Sequence, residues 1–308
     1  MLKQITDKVL MIRPKHFRMN EQTAVNNYYQ HNSDSALSVH SQWLREFDAF
    51  VESLRAKKIE VVLYEDLESL DTPDSIFPNN WISFHGNAII TYPMFAQNRR
   101  LERRRDILDD LKLRFGFNRR LSFEDWEQEE LYLEGTGSLV LDRVNKIAYA
   151  VRSMRTSEAV LKAWCVETGY RPVIFWAFQR TSEGRKAVYH TNVVMSIGTE
   201  WCVICASAID DLDERAFVLE LLSQSRTVID ISEDSMDGFG GNILEVESSE
   251  KKKWLIMSST ASRSLEGHLP QLATFAEPLI VNIEAIENAG GGSARCMLAE
   301  VFLFSHEF

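Results

Sequence analysis

Residues 138–176 contain Ser138-Leu-Val-Leu141, then Ile147-Ala-Tyr-Ala-Val151, then a helix-spaced stretch from Ser157 to Glu167, then Pro172-Val-Ile-Phe-Trp176. Short β-branched and aromatic runs bounded by polar turns predict strands, and the longer stretch between them predicts an amphipathic helix. The segment reads as hairpin, helix, strand. What decides the fold is that this order returns along the chain.

Downstream it returns as Asn192-Val-Val-Met-Ser196, the apolar run Trp201 to Ala206, a helix from Asp213 to Ser223 and Thr227-Val-Ile-Asp-Ile231. It returns again as Asn242-Ile-Leu-Glu-Val246, Trp254-Leu-Ile-Met257, a helix near Ser262 to Leu272 and Leu279-Ile-Val-Asn-Ile283. Upstream, Trp81-Ile-Ser-Phe84 and Ala88-Ile-Ile-Thr-Tyr92 are joined across His85-Gly86-Asn87, and an Arg-rich helix runs from about Arg99 to Phe115. A last copy opens at Cys296-Met-Leu-Ala-Glu-Val-Phe-Leu303 and stops. Its missing half stands at the other end of the chain: Val9-Leu-Met-Ile-Arg13, a helix from Leu37 to Leu54, and Ile59-Glu-Val-Val-Leu-Tyr64.

The first strands therefore start near positions 80, 138, 191, 242 and 296, a period of about 50 to 58 residues. An α/β fold is predicted, a five-bladed α/β propeller of repeated ββαβ units with a central channel. Pairing of the N- and C-terminal strands closes it, in a single domain spanning 1–308. An ordinary doubly wound sheet does not explain why the chain starts in mid-unit.

With 308 residues, 45% hydrophobic and 26% charged, the chain is of ordinary globular composition and long enough for a large core. A net charge of −11 argues against a nucleic-acid partner, because phosphate binding needs clustered Lys and Arg. The one basic patch, Arg99-Arg100 with Arg103-Arg104-Arg105, precedes Asp106, Asp109 and Asp110 and is expected to be a solvated helix face. Met1 to Lys8 holds no long apolar segment, and no stretch approaches about 18 consecutive apolar residues. A soluble, cytoplasmic protein with no membrane partner is expected. Four cysteines without a secretory signal are not a disulfide framework. Cys202 and Cys205 form a C-x-x-C, but inside a run that reads as a buried strand, where residues three apart point to opposite faces.

Five segments lead into the five first strands: Phe77-Pro-Asn-Asn80, Leu133-Glu-Gly-Thr-Gly137, His190-Thr-Asn192, Phe239-Gly-Gly-Asn242 and Ser293-Ala-Arg-Cys296. In a closed ring they occupy equivalent places around the channel mouth. Cys296 follows Gly290-Gly-Gly292, a backbone that can approach a ligand closely. A cysteine nucleophile, His190 to move protons and the Glu134 carboxylate to hold a polar or cationic group are what thiol catalysis needs. Each also has a structural reading taken singly. Cys296 beside Met297-Leu298-Ala299 reads as a core residue, His190 as a hydrogen-bonded histidine, and Glu134, Asn80 and Asn192 as turn residues or caps. Their coincidence on one phase of the repeat favours a site.

These motifs, with the Ile12-Arg-Pro14 opening and Phe239-Gly-Gly-Asn-Ile-Leu-Glu245, resemble the guanidine-group-modifying, or pentein, superfamily. It includes arginine deiminases, dimethylarginine hydrolases and amidinotransferases. Within it the chain is most similar to the bacterial citrulline-utilisation hydrolases, often labelled amidinotransferase-like proteins, over nearly its whole length. The resemblance implies the five-bladed α/β propeller, with Cys296 as nucleophile, His190 as general acid/base and Glu134 binding the substrate's nitrogens. Asn79, Asn80 and Asn192 would stand beside the substrate, and neither a metal nor an organic cofactor is implied.

Arginine-deiminase-like members carry aspartates where this chain has Asn80 and Asn192. An asparagine offers a neutral carbonyl and amide and suits a ureido group better than a guanidinium. The predicted reaction is hydrolysis of citrulline to ornithine, ammonia and carbon dioxide through a covalent thiol adduct. Arginine or dimethylarginine as substrate and transfer of the group to a second amine remain open, as does the oligomeric state, a homo-oligomer included. A non-catalytic binding protein on the same ring is the rival class, and the presence of Cys296, His190 and Glu134 argues against it. The substrate's carboxylate calls for an arginine. Arg13, in the strand expected to pair beside Cys296, and Arg143 are the candidates.

Overall fold

The structure is a computed structural model that describes residues 2–30 and 36–303. The single-domain expectation over 1–308 thus also spans residues 1, 31–35 and 304–308, which lie outside the described residues.

Five three-stranded sheets share one topology, a first strand antiparallel to a second that is in turn parallel to a third. Four are contiguous in sequence. Ile82–His85, Ala88–Thr91 and Arg119–Ser122 form one, and Val140–Asp142, Ile147–Val151 and Arg171–Phe175 the next. Met195–Ile197, Trp201–Ile204 and Thr227–Asp230 follow, then Leu244–Glu247, Lys253–Ser258 and Glu277–Val281. The fifth sheet joins the two ends of the chain. Ala299–Glu300 pairs antiparallel with Lys8–Arg13, Val9 opposite Glu300, and Lys8–Arg13 runs parallel to Glu60–Glu65.

Middle strands such as Ile147–Val151 and Trp201–Ile204 are buried at every position. Both their faces are covered, so they read as continuous apolar runs rather than alternating ones. Cys202 and Cys205 lie in that buried strand and just after it, both as free thiols. The crossover helix Ala36–Ala56 of the terminal unit buries Trp43, Phe47, Phe50, Val51 and Leu54, a stripe at helical spacing. Truncating Phe47, which is fully buried, to alanine is expected to cost about 3–5 kcal/mol in chemical denaturation. No helix among the described residues is long and apolar enough to cross a membrane.

The structure departs from the periodicity in instructive places. Arg119–Ser122 is a third strand that the pattern misses, because Arg119-Arg120-Leu121-Ser122 is an exposed edge held by parallel pairing to Ala88–Thr91. The helix expected over 99–115 is a 3-10 turn, Asn98–Glu102, followed by a helix, Arg105–Phe115. The one expected over 262–272 is two short pieces, Ser259–Ser264 and Leu269–Leu272. A hairpin, Phe178–Thr181 with Gly184–Ala187, stands between the second and third units.

The most consequential difference lies just ahead of the first strands. Where strands were expected to begin, the chain makes short helical turns: Pro78–Asn80, Gly135–Ser138, Thr191–Val194 and Ala294–Met297. The turn Pro78–Asn80 touches both Gly135–Ser138 and Ala294–Met297, and Gly135–Ser138 touches Thr191–Val194. Residues far apart in sequence thus meet at one end of the sheets.

Candidate active site

Glu134 and His190 stand at the N-terminal ends of two of these turns, Gly135–Ser138 and Thr191–Val194. The turns are tied together by Thr191, whose hydroxyl donates to the Ser138 carbonyl at 2.6 Å and accepts from the Val151 amide at 2.8 Å. Ser138 in turn accepts from the Glu134 amide at 3.0 Å and donates to the Arg155 carbonyl at 2.8 Å. The result holds His190 Nε2 2.8 Å from Glu134 Oε2. An ionised carboxylate only accepts, so Nε2 carries the proton and the neutral ring leaves Nδ1 as its acceptor.

Two glycines permit this approach. Gly135, at φ +45°, lies so close to the Asn79 carbonyl that a Cβ would stand 2.2 Å from it. At Gly137 a Cβ would meet the Asn80 amide nitrogen at 2.2 Å and His190 Nδ1 at 2.9 Å. Gly137→Ala should therefore lower kcat/KM by about a hundredfold or more by displacing His190 and Asn80. Steady-state kinetics alongside a melting curve separates that loss from unfolding.

Cys296, in the turn Ala294–Met297, is buried with its thiol among amides. Asn242 Nδ2 donates to Sγ at 3.2 Å and Asn192 Nδ2 at 3.5 Å. Asn242 Nδ2 also reaches the Asn192 carbonyl at 3.0 Å, which holds the two together. Asn80 is oriented from behind: Arg99 Nη1 donates to its Oδ1 at 2.9 Å. A guanidinium can only donate, so the Asn80 N–H face is left unpartnered, as are Asn192 Oδ1, Asp74 Oδ1 and both side-chain polar atoms of Asn79. Asn192 Oδ1 belongs to an amide that reaches the thiol, and Asn80 Nδ2 lies beside Gly137; buried donors and acceptors left unpartnered in this way mark space for a polar ligand.

The charges are set by burial and by two arginines. Burial alone would raise the Glu134 carboxyl, but Arg155, whose Nη1 is 3.5 Å away, His190 and Arg99 together hold it down at about 2. Burial lowers His190 to about 4 against the upward pull of Glu134, with Arg155 and Arg99 pushing the same way as burial. Burial raises the Cys296 thiol, offset in part by Asn242, the Ser293 backbone, Arg295 and Asn192. At neutral pH the unliganded centre is an ionised Glu134 beside a neutral imidazole and a neutral thiol.

The structure thus brings together Cys296, His190, Glu134, Asn79, Asn80 and Asn192. It does not bring Arg13 or Arg143 to them. Arg13 sits in a bidentate pair with Asp48, at 2.8 and 2.9 Å, on the outer helix of the terminal unit. Arg143 follows Val140–Asp142 and so lies at the opposite end of that strand from Glu134. Arg13→Ala is accordingly expected to leave KM within about twofold of wild type, the outcome for an outward-facing pair.

The arginines that do reach the centre are Arg99 and Arg155, both 2% exposed. Arg99 belongs to the patch expected to be solvated. It is instead locked by Glu102 at 2.8 and 3.0 Å, and by the Phe77 carbonyl at 3.1 Å. The i,i+3 spacing of Arg99 and Glu102 was a readable signal. Arg155 bridges Glu134 to Asn26 and to the Thr23 carbonyl. Nothing in the period marks it, since it comes from the loop after a middle strand. Asn242, present in the fourth leading segment, is a further residue beside the thiol, and Asp74 accepts from Asn20 at 2.8 Å while remaining near Arg99.

Residues 20–30 lie over this cluster. Asn27 and Gln30 donate to the Gly290 carbonyl at 3.2 and 3.0 Å, and Tyr29 packs against Tyr189, next to His190. Beneath this segment Cys296 is 6% exposed and Glu134 is fully buried.

A sequence-family profile described as N,N dimethylarginine dimethylhydrolase, eukaryotic, matches residues 13–303. No curated protein matches the chain in sequence. Among solved structures, it is similar to apo ArgZ, an arginine dihydrolase from the ornithine-ammonia cycle in Cyanobacteria, with 16% identity and a TM-score of 0.71 over 96% of this chain and 40% of that one. It is also similar to AgrE in ternary complex with ornithine and NAD+, with 17% identity and a TM-score of 0.72 over 96% and 39%. A histidine-to-glycine variant of dimethylarginine dimethylaminohydrolase, as its adduct with S-methyl-L-thiocitrulline, matches with 13% identity and a TM-score of 0.64 over 96% and 100%. The chain therefore spans about 40% of the length of ArgZ and AgrE, and at these identities the likeness is one of fold. By the profile match over nearly its whole length, the chain belongs to the N,N dimethylarginine dimethylhydrolase family, within the pentein superfamily.

Proposed function

We propose that this chain is a cysteine-dependent hydrolase of a ureido or guanidino C–N bond, and that citrulline is its preferred substrate. One observation carries the preference. Asn80, its carbonyl engaged by Arg99, turns an unpartnered N–H toward the site, and Asn192 leaves Oδ1 unpartnered beside the thiol. A ureido group supplies a carbonyl oxygen for the first and an N–H for the second. A guanidinium has donors only and would set N–H against N–H at Asn80.

In the proposed reaction the Cys296 thiol gives its proton to His190 Nδ1, and the resulting thiolate, stabilised by the Asn192 and Asn242 amides, adds to the ureido carbon. His190 protonates the departing amine and then takes a proton from the water that cleaves the S-carbonyl adduct. Glu134 keeps His190 in the tautomer that leaves Nδ1 free. Citrulline and one water give ornithine, carbon dioxide and ammonia. Arg99 and Arg155 replace Arg13 and Arg143 as candidates for the substrate's carboxylate end. The five sheets, on this reading, are blades of one five-bladed α/β propeller sealed by the strand pair Val9 and Glu300.

Arginine is the second reading, favoured by the fold shared with an arginine dihydrolase and by the family profile. A chain that hydrolysed arginine twice would meet a ureido group at its second step, where the same asparagines would serve. Turnover of citrulline, arginine and dimethylarginine, with ornithine and ammonia quantified, separates the readings. Citrulline is expected to have the highest kcat/KM. Faster ammonia release from arginine than from citrulline would overturn the preference. Because the thiol and His190 must together carry one proton, kcat/KM for citrulline should be level across neutral pH, fall as pH drops toward about 4, and fall again only above the thiol's ordinary value of 9.0, from which burial raises it.

A further inference from the structure

A cavity of about 700 Å³ opens at the far end of the sheets from Cys296. The turn after Ile82–His85 and the turn after Val140–Asp142 form one wall, and residues 2–8 and 301–303 form the other. Asn80 and Glu134 precede those same two strands, so the cavity and the thiol lie at opposite ends of them.

In a chain of net charge −11, this lining carries, among the described residues, five Lys and Arg against three Asp and Glu. Three of the five are neutralised: Lys3 pairs with Glu247 at 3.2 Å, Arg119 with Glu167 at 2.8 Å, and Lys8 with Glu60. Two are not. Among the described residues Arg143 has one ion-pair partner, Glu300 Oε2 at 3.8 Å, and that same oxygen is held by Arg295 at 2.6 Å. Lys146 forms no ion pair with any described residue; its ammonium lies 3.5 Å from the Thr168 carbonyl and 4.3 Å from the Tyr170 ring centre.

The surplus is felt by its neighbours. Burial, Arg143 and Lys146 together push the His85 imidazole well below its ordinary value, and burial with Arg143 lowers Lys146. An apolar wall stands beside these cations. Phe302 stacks under the Arg143 guanidinium at 3.9 Å, with Tyr170 and Leu121 nearby. A buried arginine that shares its one carboxylate and a partly exposed lysine with no ion pair to any described residue, beside aromatic surface in a cavity of ligand size, make a site that an anion with an apolar body completes.

We propose that this cavity is a second small-molecule site, separate from the Cys296 centre, that binds an organic carboxylate. Its anionic group lies between Arg143 and Lys146, and its apolar body lies on Phe302 and Tyr170. Phenylacetate and its neutral isostere phenylacetamide are the probes, titrated calorimetrically into the full chain.

Phenylacetate should bind at least about tenfold more tightly than phenylacetamide and shift the His85 ring resonances, assigned with His85→Gln. Lys146→Met, at a partly exposed position that folding tolerates, should weaken phenylacetate by about tenfold, as should Arg143→Met. Three results would each overturn the proposal: no phenylacetate binding at millimolar concentration, equal affinity for the amide, or unchanged affinity in Lys146→Met. Phenylacetate binding that leaves the His85 resonances unmoved would assign it to another place and also count against it.

Discussion

Replacing Cys296 with alanine is expected to lower kcat on citrulline, and on any guanidino substrate the enzyme accepts, by about ten-thousandfold or more. Removing a covalent nucleophile leaves only binding and electrostatic positioning, which cannot form the adduct. The fold should persist, because alanine fits where the thiol was and Asn242 keeps its bond to the Asn192 carbonyl. The side-chain amides of Asn192 and Asn242 lose an acceptor, a cost of about 1–2 kcal/mol in denaturant titrations. Full turnover by the variant would remove Cys296 from the chemistry, whereas full unfolding would show that the thiol is mainly a core residue.

The second large effect is expected at Glu134, where chemistry and stability are coupled. Glu134→Gln replaces an acceptor-only carboxylate with an amide that can turn either its carbonyl or its NH2 to His190, so the tautomer is no longer fixed, and it leaves Arg155 as a buried cation without its carboxylate. Stability should fall by about 3–5 kcal/mol, the range for breaking a buried pair by removing one partner. The kcat should fall by about a thousandfold through loss of His190 orientation. These losses can be told apart. In Glu134→Gln with Arg155→Met the unpaired charge is gone, so much of the stability should return while activity stays low. Recovery of both would reduce Glu134 to a counter-ion.

The same pair predicts acid lability of a definite sign. His190, lowered to about 4, stays neutral in the folded chain while an unfolded histidine takes up a proton near 6.5. The unfolded state thus binds more protons across that window, and stability declines as pH falls from about 6.5 to about 4. Glu134, held at about 2, contributes stability that is complete above its ordinary value of 4.5 and is lost as pH falls from there toward 2. Melting temperatures should therefore drop continuously below about pH 6.5. A His190→Gln variant should lose the upper part of that slope and keep the lower.

How far the sequence carried this picture depends on which forces write themselves into local pattern. The hairpin, helix, strand order was legible because middle strands such as Ile147–Val151 are covered on both faces, so burial shows as an unbroken apolar run. The terminal sheet was legible as well, since half a unit at each end leaves one pairing to be made. Arg119–Ser122 was not, because an exposed edge strand is held by ladder bonds and carries no apolar signature.

At the site, Cys296, His190 and Glu134 were found through their shared phase in the repeat. Their helical turns were not anticipated, since a turn of four residues is fixed by contacts across the repeat, such as that of Thr191 with Ser138. Arg99 was misread as solvated because its partners Asn80 and the Phe77 carbonyl come from a turn about twenty residues earlier. Arg13 was chosen for its type and for the strand expected to pair beside Cys296, and Arg143 for its type; their neighbours in the structure are Asp48 and Phe302.

The measurement that bears most directly on covalent catalysis is rapid-quench mass spectrometry of the enzyme turning over citrulline, followed by peptide mapping. The account predicts a carbonyl-containing adduct on the peptide bearing Cys296 in the wild type, strongly reduced in His190→Gln because the departing amine is no longer protonated, and absent in Cys296→Ala. Sustained wild-type turnover with no mass increment on that peptide would contradict it.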